Sequence, residues 1–251
     1  MSMAPPRRII EEAINTGMRK IDFDNYINTY NQMLRQQTGF FTPNEAYFAQ
    51  YKVTIVRDKI PKEPHRILEF GCGIGGNIQY LRKAFRSAEI MGSDVSALSL
   101  EVARNENPGI YFWQEGDVAA MPQEGFDLIL VTGVFHHIPP LERIAVAKLL
   151  FTRLLPGGWV FVFEHNPYNP VTRHIVNNCP YDEGVVLLRP SELQELLRQG
   201  GLEVEEQKFS LFFPQRLKLV LPLERYLGWL PLGGQYWVLA RRPPTSSSVS
   251  S

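Results

Sequence analysis

Five short apolar runs, separated by helix-like stretches, constrain this chain more than any other feature. They fall at residues 66–70, 89–93, 110–114, 126–132 and 158–164. The fourth, FDLILVT, and the fifth, GWVFVFE, are apolar almost throughout. A strand covered on one face alternates apolar and polar side chains, whereas a strand covered on both faces loses that alternation. Continuous apolar strands alternating with helices therefore specify an α/β fold, a parallel sheet between two helical layers. Helices are expected over residues 140–155, stopped by Pro156-Gly157-Gly158, and from Ser191 to Gly200-Gly201, where Ser191 and Gln194 fit a capping box. Two later runs, 202–213 and 235–241, read as strands, with a stretch rich in Leu, Pro and Arg between them.

Ahead of the first strand, residues 7–59 read as helices. Ile9, Ile10, Ala13 and Ile14, then Tyr26, Ile27, Tyr30, Met33 and Leu34, recur at helical spacing. Pro61 and Pro64 mark the boundary. The expected organisation is an N-terminal helical cap over 1–60, an α/β domain over 61–242, and a disordered polar tail over 243–251, PPTSSSVSS. Composition acts by exclusion. The 26 Lys and Arg residues balance 26 Asp and Glu, so the chain lacks the basic surplus that drives nucleic-acid binding, and no nucleic-acid partner is expected. No run of about 18 apolar residues is present, so no transmembrane segment is expected. The opening MSMAPPRRII has no apolar secretory core, which makes the cytoplasm the expected compartment. Cys72 and Cys179 fit neither a disulfide framework nor a zinc spacing and are expected as free thiols.

The first strand ends in a glycine cluster, Ile67-Leu68-Glu69-Phe70-Gly71-Cys72-Gly73-Ile74-Gly75-Gly76-Asn77. Gly71, Gly73 and Gly76 satisfy the G-x-G-x-x-G pattern of dinucleotide sites. Gly71, Gly73 and Gly75 equally satisfy G-x-G-x-G with an acid two residues ahead. The glycines alone do not separate the readings. The acids around them do. A dinucleotide brings a pyrophosphate to the following helix N-terminus, and Glu69 would repel it. S-adenosylmethionine brings an ammonium instead, which Glu69 would hold directly or through water. Asp94, ending the second strand, suits two ribose hydroxyls, as it would in a nicotinamide enzyme. Asp117, after the third strand, could accept from an adenine amino group.

Taken with GSDVS (residues 92–96), GDVAAMP (116–122), FDLILVTGVFHHIPP (126–140) and LLPGGWVFVFE (154–164), this loop resembles the class I S-adenosylmethionine-dependent methyltransferases. The resemblance covers roughly residues 60–165. It implies a Rossmann-like, doubly wound sheet of seven strands in the order 3-2-1-4-5-7-6, with strand 7 antiparallel. It also implies S-adenosyl-L-methionine as cofactor, held by Glu69, Gly71, Cys72, Gly73, Asp94, Val95, Asp117, Val118 and Thr132. The His-His pair is similar to small-molecule methyltransferases of sugar, ubiquinone and natural-product type.

Ligands on such a sheet bind beyond the carboxyl ends of the strands. His136 and His137 follow the fourth strand, and Glu164 and His165 end the fifth. These four are the expected catalytic residues, with His137 favoured as general base toward a hydroxyl acceptor, since an unperturbed imidazole titrates near neutrality. No metal is expected, because His136, His137, Glu164, His165, His174 and Asp182 match no compact ligand motif. The look-alike of a base-methylating motif, Asn166-Pro167-Tyr168, follows the wrong strand and reads as a rigid loop opening a lid. Residues 166–190 and 214–233 are expected to enclose a small-molecule acceptor. The second is expected to pack as a cap, with contact to a membrane surface or an amphiphilic acceptor as the other use of its Leu, Trp and cationic residues. The rival functions are a cofactor-binding partner subunit without catalysis and a nicotinamide-dependent oxidoreductase.

Overall fold

The computed structural model describes Thr42 and residues 46–245, leaving the Tyr181 side chain aside. The elements run in the order α1 (Ala46–Lys59), β1 (Arg66–Phe70), α2 (Ile78–Ala84), β2 (Glu89–Asp94), α3 (Ala97–Glu106), β3 (Tyr111–Gln114), β4 (Phe126–Thr132), α4 (Arg143–Arg153), β5 (Leu154–His165), α5 (Pro170–Asn177), α6 (Pro190–Gln199), β6 (Glu203–Ser210), α7 (Glu224–Leu227) and β7 (Gln235–Arg241). Short 3-10 turns lie at Phe135–His137, Pro180–Asp182 and Leu221–Leu223. The seven strands form one sheet in the order β3-β2-β1-β4-β5-β7-β6. The first five are parallel, and β7 runs antiparallel between β5 and β6.

The missing alternation in the sequence has a direct cause. Leu68, Ile129, Val131, Val160 and Val162 point to one face, with Ala147 and Leu150 of α4 and Leu193 and Leu197 of α6. Ile67, Leu128, Leu130, Phe161 and Phe163 point to the other, against Val53 and Val56 of α1, Leu81 of α2 and Leu100 of α3. Each of the Val, Leu, Ile and Phe side chains among them, removed from water, contributes ~1.5–3 kcal/mol. The edges differ. β3 is only four residues long, and β6 reads EVEEQKFS; shortness and charge both discourage pairing with another chain.

Several boundaries depart from expectation. The fifth strand begins at Leu154, not at 158, and the helix before it is only Arg143–Arg153. Leu154 pairs with Phe126 ahead of a register shift, so the Pro and Gly residues sit in an irregular strand start, where neither costs a ladder bond in the sheet centre. Helix α6 starts one residue before Ser191. Its N-cap is Arg189, Pro190 occupies the first helical position, and Glu192 rather than Gln194 accepts the Arg189 N–H at 2.7 Å. The sixth strand ends at Ser210, because Leu211 turns to a φ of +61°. Of the expected N-terminal helices, α1 is seen; residues 1–41 and 43–45, and the tail beyond 245, lie outside the described residues. Among the described residues no helix is long and apolar enough to cross a membrane.

Candidate active site

The carboxyl ends of β1, β2 and β4 carry the first half of the site. Gly71 takes a φ of +69°, and a Cβ there would collide with Val134 Cγ2. The turn sends the Gly71 and Cys72 N–H groups to the Ser93 carbonyl, at 2.8 and 2.9 Å. Gly73 takes a φ of +52° with open space where a Cβ would stand. The loop thus presents bare backbone to any ligand lying over it. Cys72 is buried, and burial pushes its thiol well above the usual range.

Two carboxylates face this loop. Asp94 Oδ2 accepts from Gly73 N at 2.7 Å and Oδ1 from Ser96 N at 2.9 Å. Burial still raises its pKa. Each oxygen retains accepting capacity, as a ribose diol requires. Glu69 is 1% exposed. Its Oε1 accepts from Asn77 Nδ2 at 2.5 Å, and the same nitrogen reaches Thr132 Oγ1 at 3.3 Å. Its Oε2 is buried with no hydrogen-bond partner among the described residues. Burial pushes the Glu69 carboxyl up to about 7, against the pull of Asn77 and of Lys52 on α1. Burial pulls Lys52 down to about 8, with Glu69 and Glu164 opposing. An orphaned carboxylate oxygen beside a glycine loop fits the ammonium of S-adenosylmethionine. Val95 and Val118 are each about half exposed at the next strand ends, open to a nucleoside base. Asp117 is exposed and uses Oδ1 to cap the Ala119 and Ala120 N–H groups.

The second half gathers at β4 and β5. Glu164 Oε1 accepts from Val134 N and Phe135 N, at 3.1 and 2.7 Å, and Oε2 lies 2.6 Å from His136 Nδ1. This closes the Phe135–His137 turn and fixes both histidines. Asp182 arrives on the loop after α5. That loop is tied down by Val186 N to His136 O, by Arg143 Nη2 to Val186 O, and by Tyr236 Oη to Leu188 O. Asp182 Oδ1 then lies 3.6 Å from His136 Nε2 and 3.5 Å from His137 Nε2. The His136 ring is 4.1 Å from that of His137 and 5.0 Å from that of His165, centre to centre. His174 is exposed on α5 beside Asn178, away from this group.

The electrostatics divide the histidines. Burial opposes a charge on His136, but Glu164 and Asp182 outweigh it and lift the imidazole to about 9. Burial and the charge on His136 press His137 down to about 3 and His165 to about 4. Burial disfavours the Glu164 carboxylate too, yet His136 holds it below its ordinary value. His137 is therefore a neutral imidazole, well below the ordinary histidine range in which a base was expected.

The loop after β5 is a clamp. Asn166, fully buried, donates to Pro231 O and Gly233 O, at 3.1 and 2.7 Å. Asn169 caps α5 through Val171 N and Thr172 N and donates to Leu232 O. It fastens residues 166–172 to the end of the 214–233 segment. The other end is held by Glu224, whose Oε1 accepts from Phe212 N and Phe213 N, both at 2.9 Å, and whose Oε2 accepts from Tyr51 of α1 at 2.5 Å. Between these anchors Leu219, Tyr226 and Trp229 stand 96%, 62% and 71% exposed, so the segment is only partly packed. Asn77 and Lys52 escaped the sequence reading. Asn77 carried a signal, as the polar residue closing the glycine loop; Lys52, on a helix with no motif, carried none.

A glycine loop on a 3-2-1-4-5-7-6 sheet, with a buried acid near the end of β1 and a part-buried one ending β2, is an arrangement that fits an amino-acid nucleoside. Comparison with known proteins narrows this. Residues 45–207 match the family described as methyltransferase domain, and the chain belongs to it, as a class I S-adenosylmethionine-dependent methyltransferase. An uncharacterized protein of Synechococcus is 42% identical over 108 residues, 40% of this chain and 25% of that protein. The ubiquinone biosynthesis O-methyltransferase of Chromobacterium violaceum is 28% identical over 160 residues, 56% of this chain and 65% of that protein. The match thus spans less than two thirds of either relative. The crystal structure of an S-adenosylmethionine-dependent methyltransferase from Archaeoglobus fulgidus shares the fold, with a TM-score of 0.59 at 15% identity, over 85% of this chain and 99% of that one.

Proposed function

We propose that the protein transfers the methyl group of S-adenosylmethionine to a hydroxyl oxygen of a small organic acceptor, with His137 receiving the proton. The observation that carries the reading is the pairing of two sites on adjoining strand ends. One is the glycine loop with the unpartnered Glu69 Oε2. The other is the histidine–carboxylate cluster after β4 and β5. S-adenosylmethionine supplies an activated methyl group. Glu69 holds its ammonium, Asp94 its ribose, and the cluster receives the acceptor. Holding the reacting atoms in line and in contact provides most of the acceleration. Attack by a neutral hydroxyl produces a protonated ether, a far stronger acid than an imidazolium of pKa about 3. His137 is therefore basic enough to take that proton, and Asp182 at 3.5 Å balances the resulting charge. The name of the Chromobacterium relative supports oxygen as the acceptor atom. The exposed Leu219, Tyr226 and Trp229, among Arg216, Lys218 and Arg225, support an amphiphilic acceptor or one presented at a membrane surface.

The test is a methyl-transfer assay, reading S-adenosylhomocysteine release over a panel of phenols and alcohols. His137→Ala should bind S-adenosylhomocysteine as the native protein does and turn over roughly 10²-fold more slowly, the low end of general-base catalysis, because an imidazole at about 3 is a weak base. Native turnover in His137→Ala removes the base; transfer only to amines removes the hydroxyl.

A further inference from the structure

We infer that His136, His137 and Asp182 form a binding site for one divalent transition-metal ion of the zinc class. The inference concerns metal binding and stands whether or not the acceptor is a hydroxyl. The distances carry it. Asp182 Oδ1 lies 3.6 Å from His136 Nε2 and 3.5 Å from His137 Nε2. Both are longer than a well-formed hydrogen bond to a carboxylate, which closes to about 2.7–2.9 Å. They match the edge of a tetrahedron. With metal–nitrogen and metal–oxygen bonds of about 2.0–2.2 Å, ligand atoms in tetrahedral coordination stand about 3.3–3.5 Å apart, against about 3 Å in an octahedron. One ligand atom from each of the three residues lies within 4.8 Å of the others.

The surroundings are those of a metal-ligating histidine. Glu164 Oε2 sits 2.6 Å from His136 Nδ1. That contact would hold a proton on Nδ1 once an ion displaced the one on Nε2, and would raise the basicity of Nε2 toward the ion. Glu164 is itself fixed by the Val134 and Phe135 N–H groups. The ligand Asp182 is carried on a loop pinned through Val186 and Arg143. Two imidazoles and one carboxylate select zinc, cobalt or a similar ion over magnesium or calcium, which take oxygen ligands. Three protein ligands leave the fourth tetrahedral position for water or an acceptor oxygen. With the ion present His137 would be a ligand, and the metal would stabilise the charge that otherwise falls to that ring. Linear spacing excluded a metal only because the ligands come from two segments that meet through the fold.

The experiment uses the full chain without a histidine tag, stripped with a chelator. It is titrated calorimetrically with Zn²⁺ and followed by visible absorption with Co²⁺. One ion per chain is expected, with the intense bands of four-coordinate Co²⁺. Asp182→Asn and His137→Gln should each weaken Zn²⁺ binding at least tenfold, and Glu164→Gln by about 10–100-fold, the range for a residue orienting a ligand. Absence of saturable binding, six-coordinate Co²⁺ bands, or affinity unchanged in both ligand variants would overturn the inference. The native Co²⁺ spectrum decides the matter if a variant does not fold. S-adenosylhomocysteine binding in the same samples separates the two claims, since loss of metal binding alone leaves the methyltransferase reading standing.

Discussion

Glu69→Gln should make the protein more stable and a poorer binder of its cofactor. The Glu69 carboxyl is 1% exposed and is displaced from an ordinary 4.5 to about 7, chiefly by burial. At 1.36 kcal/mol per pH unit that interval is worth ~3 kcal/mol. The sign follows from proton linkage. The folded state binds the proton more tightly than the unfolded state, so this group's stabilising contribution is complete below pH 4.5 and lost as the pH rises through about 7. Above pH 7 the native protein carries the full cost of an ionised, buried carboxylate. Glutamine keeps the shape and can still accept from Asn77 Nδ2. Lys52 loses a partner, but at about 8 it is already half deprotonated near pH 8 and gives up its proton at little cost. The Glu69→Gln substitution should therefore raise the melting temperature at pH 8 by about 6–12 °C, taking 2–4 °C per kcal/mol for a domain of this size. Near pH 5 most of the gain should vanish. Affinity for S-adenosylhomocysteine should fall by ~1.5–3 kcal/mol, the loss of a charge-assisted hydrogen bond. Thermal melts at the two pH values and calorimetry are the assays. A gain over the native protein no larger at pH 8 than at pH 5 would refute the burial argument, and unchanged cofactor affinity would refute the ammonium assignment.

Three further substitutions test the frame around the site. Glu115→Gln leaves Arg153, which is buried and bonded to Glu115 at 2.7 and 2.8 Å, with an uncompensated charge, so denaturant unfolding should show a loss of ~3–5 kcal/mol. Gly71→Ala meets both a positive φ and Val134 Cγ2; it should cost more than ~1 kcal/mol, and adding Val134→Ala should recover the steric part but not the backbone part. Tyr51→Phe removes the α1 donor to Glu224, and a loss of ~1–3 kcal/mol in chemical unfolding is expected.

What could be read from the sequence was what lies close together along it. The strands are legible from apolar runs that need no distant partner to be recognised, whereas their order followed from the family resemblance. Glu69 and Asp94 are legible because each ends a strand of known position, beside glycines whose φ values, +69° at Gly71 and +52° at Gly73, explain their spacing. The start of α6 was misplaced although Pro190 marked it, since proline favours the first helical position. Asp182 illustrates the opposite case. It lies 45 residues from His137 along the chain, and contacts of Val186, Arg143 and Tyr236 that no local pattern announces hold its loop at the histidines. The titration of His137 was equally hidden. A ring on a strand-end loop would titrate near its ordinary value in water, but burial and a charged neighbour carry it to about 3. The anchors of the 214–233 segment were hidden for the same reason, since composition does not say that Glu224 meets Tyr51 or that Asn166 meets Pro231 and Gly233.

The central claim is that the glycine loop, Glu69 and Asp94 bind S-adenosylmethionine for methyl transfer. Calorimetric titration of the native protein and of Asp94→Ala with S-adenosylhomocysteine, and of both with NADH, tests it most directly. One S-adenosylhomocysteine per chain should bind, weakened by ~1–3 kcal/mol in Asp94→Ala through loss of hydrogen bonds to a charged acceptor, and NADH should give no saturable heat. Saturable binding of NADH without S-adenosylhomocysteine binding, or an affinity indifferent to Asp94, would contradict the account.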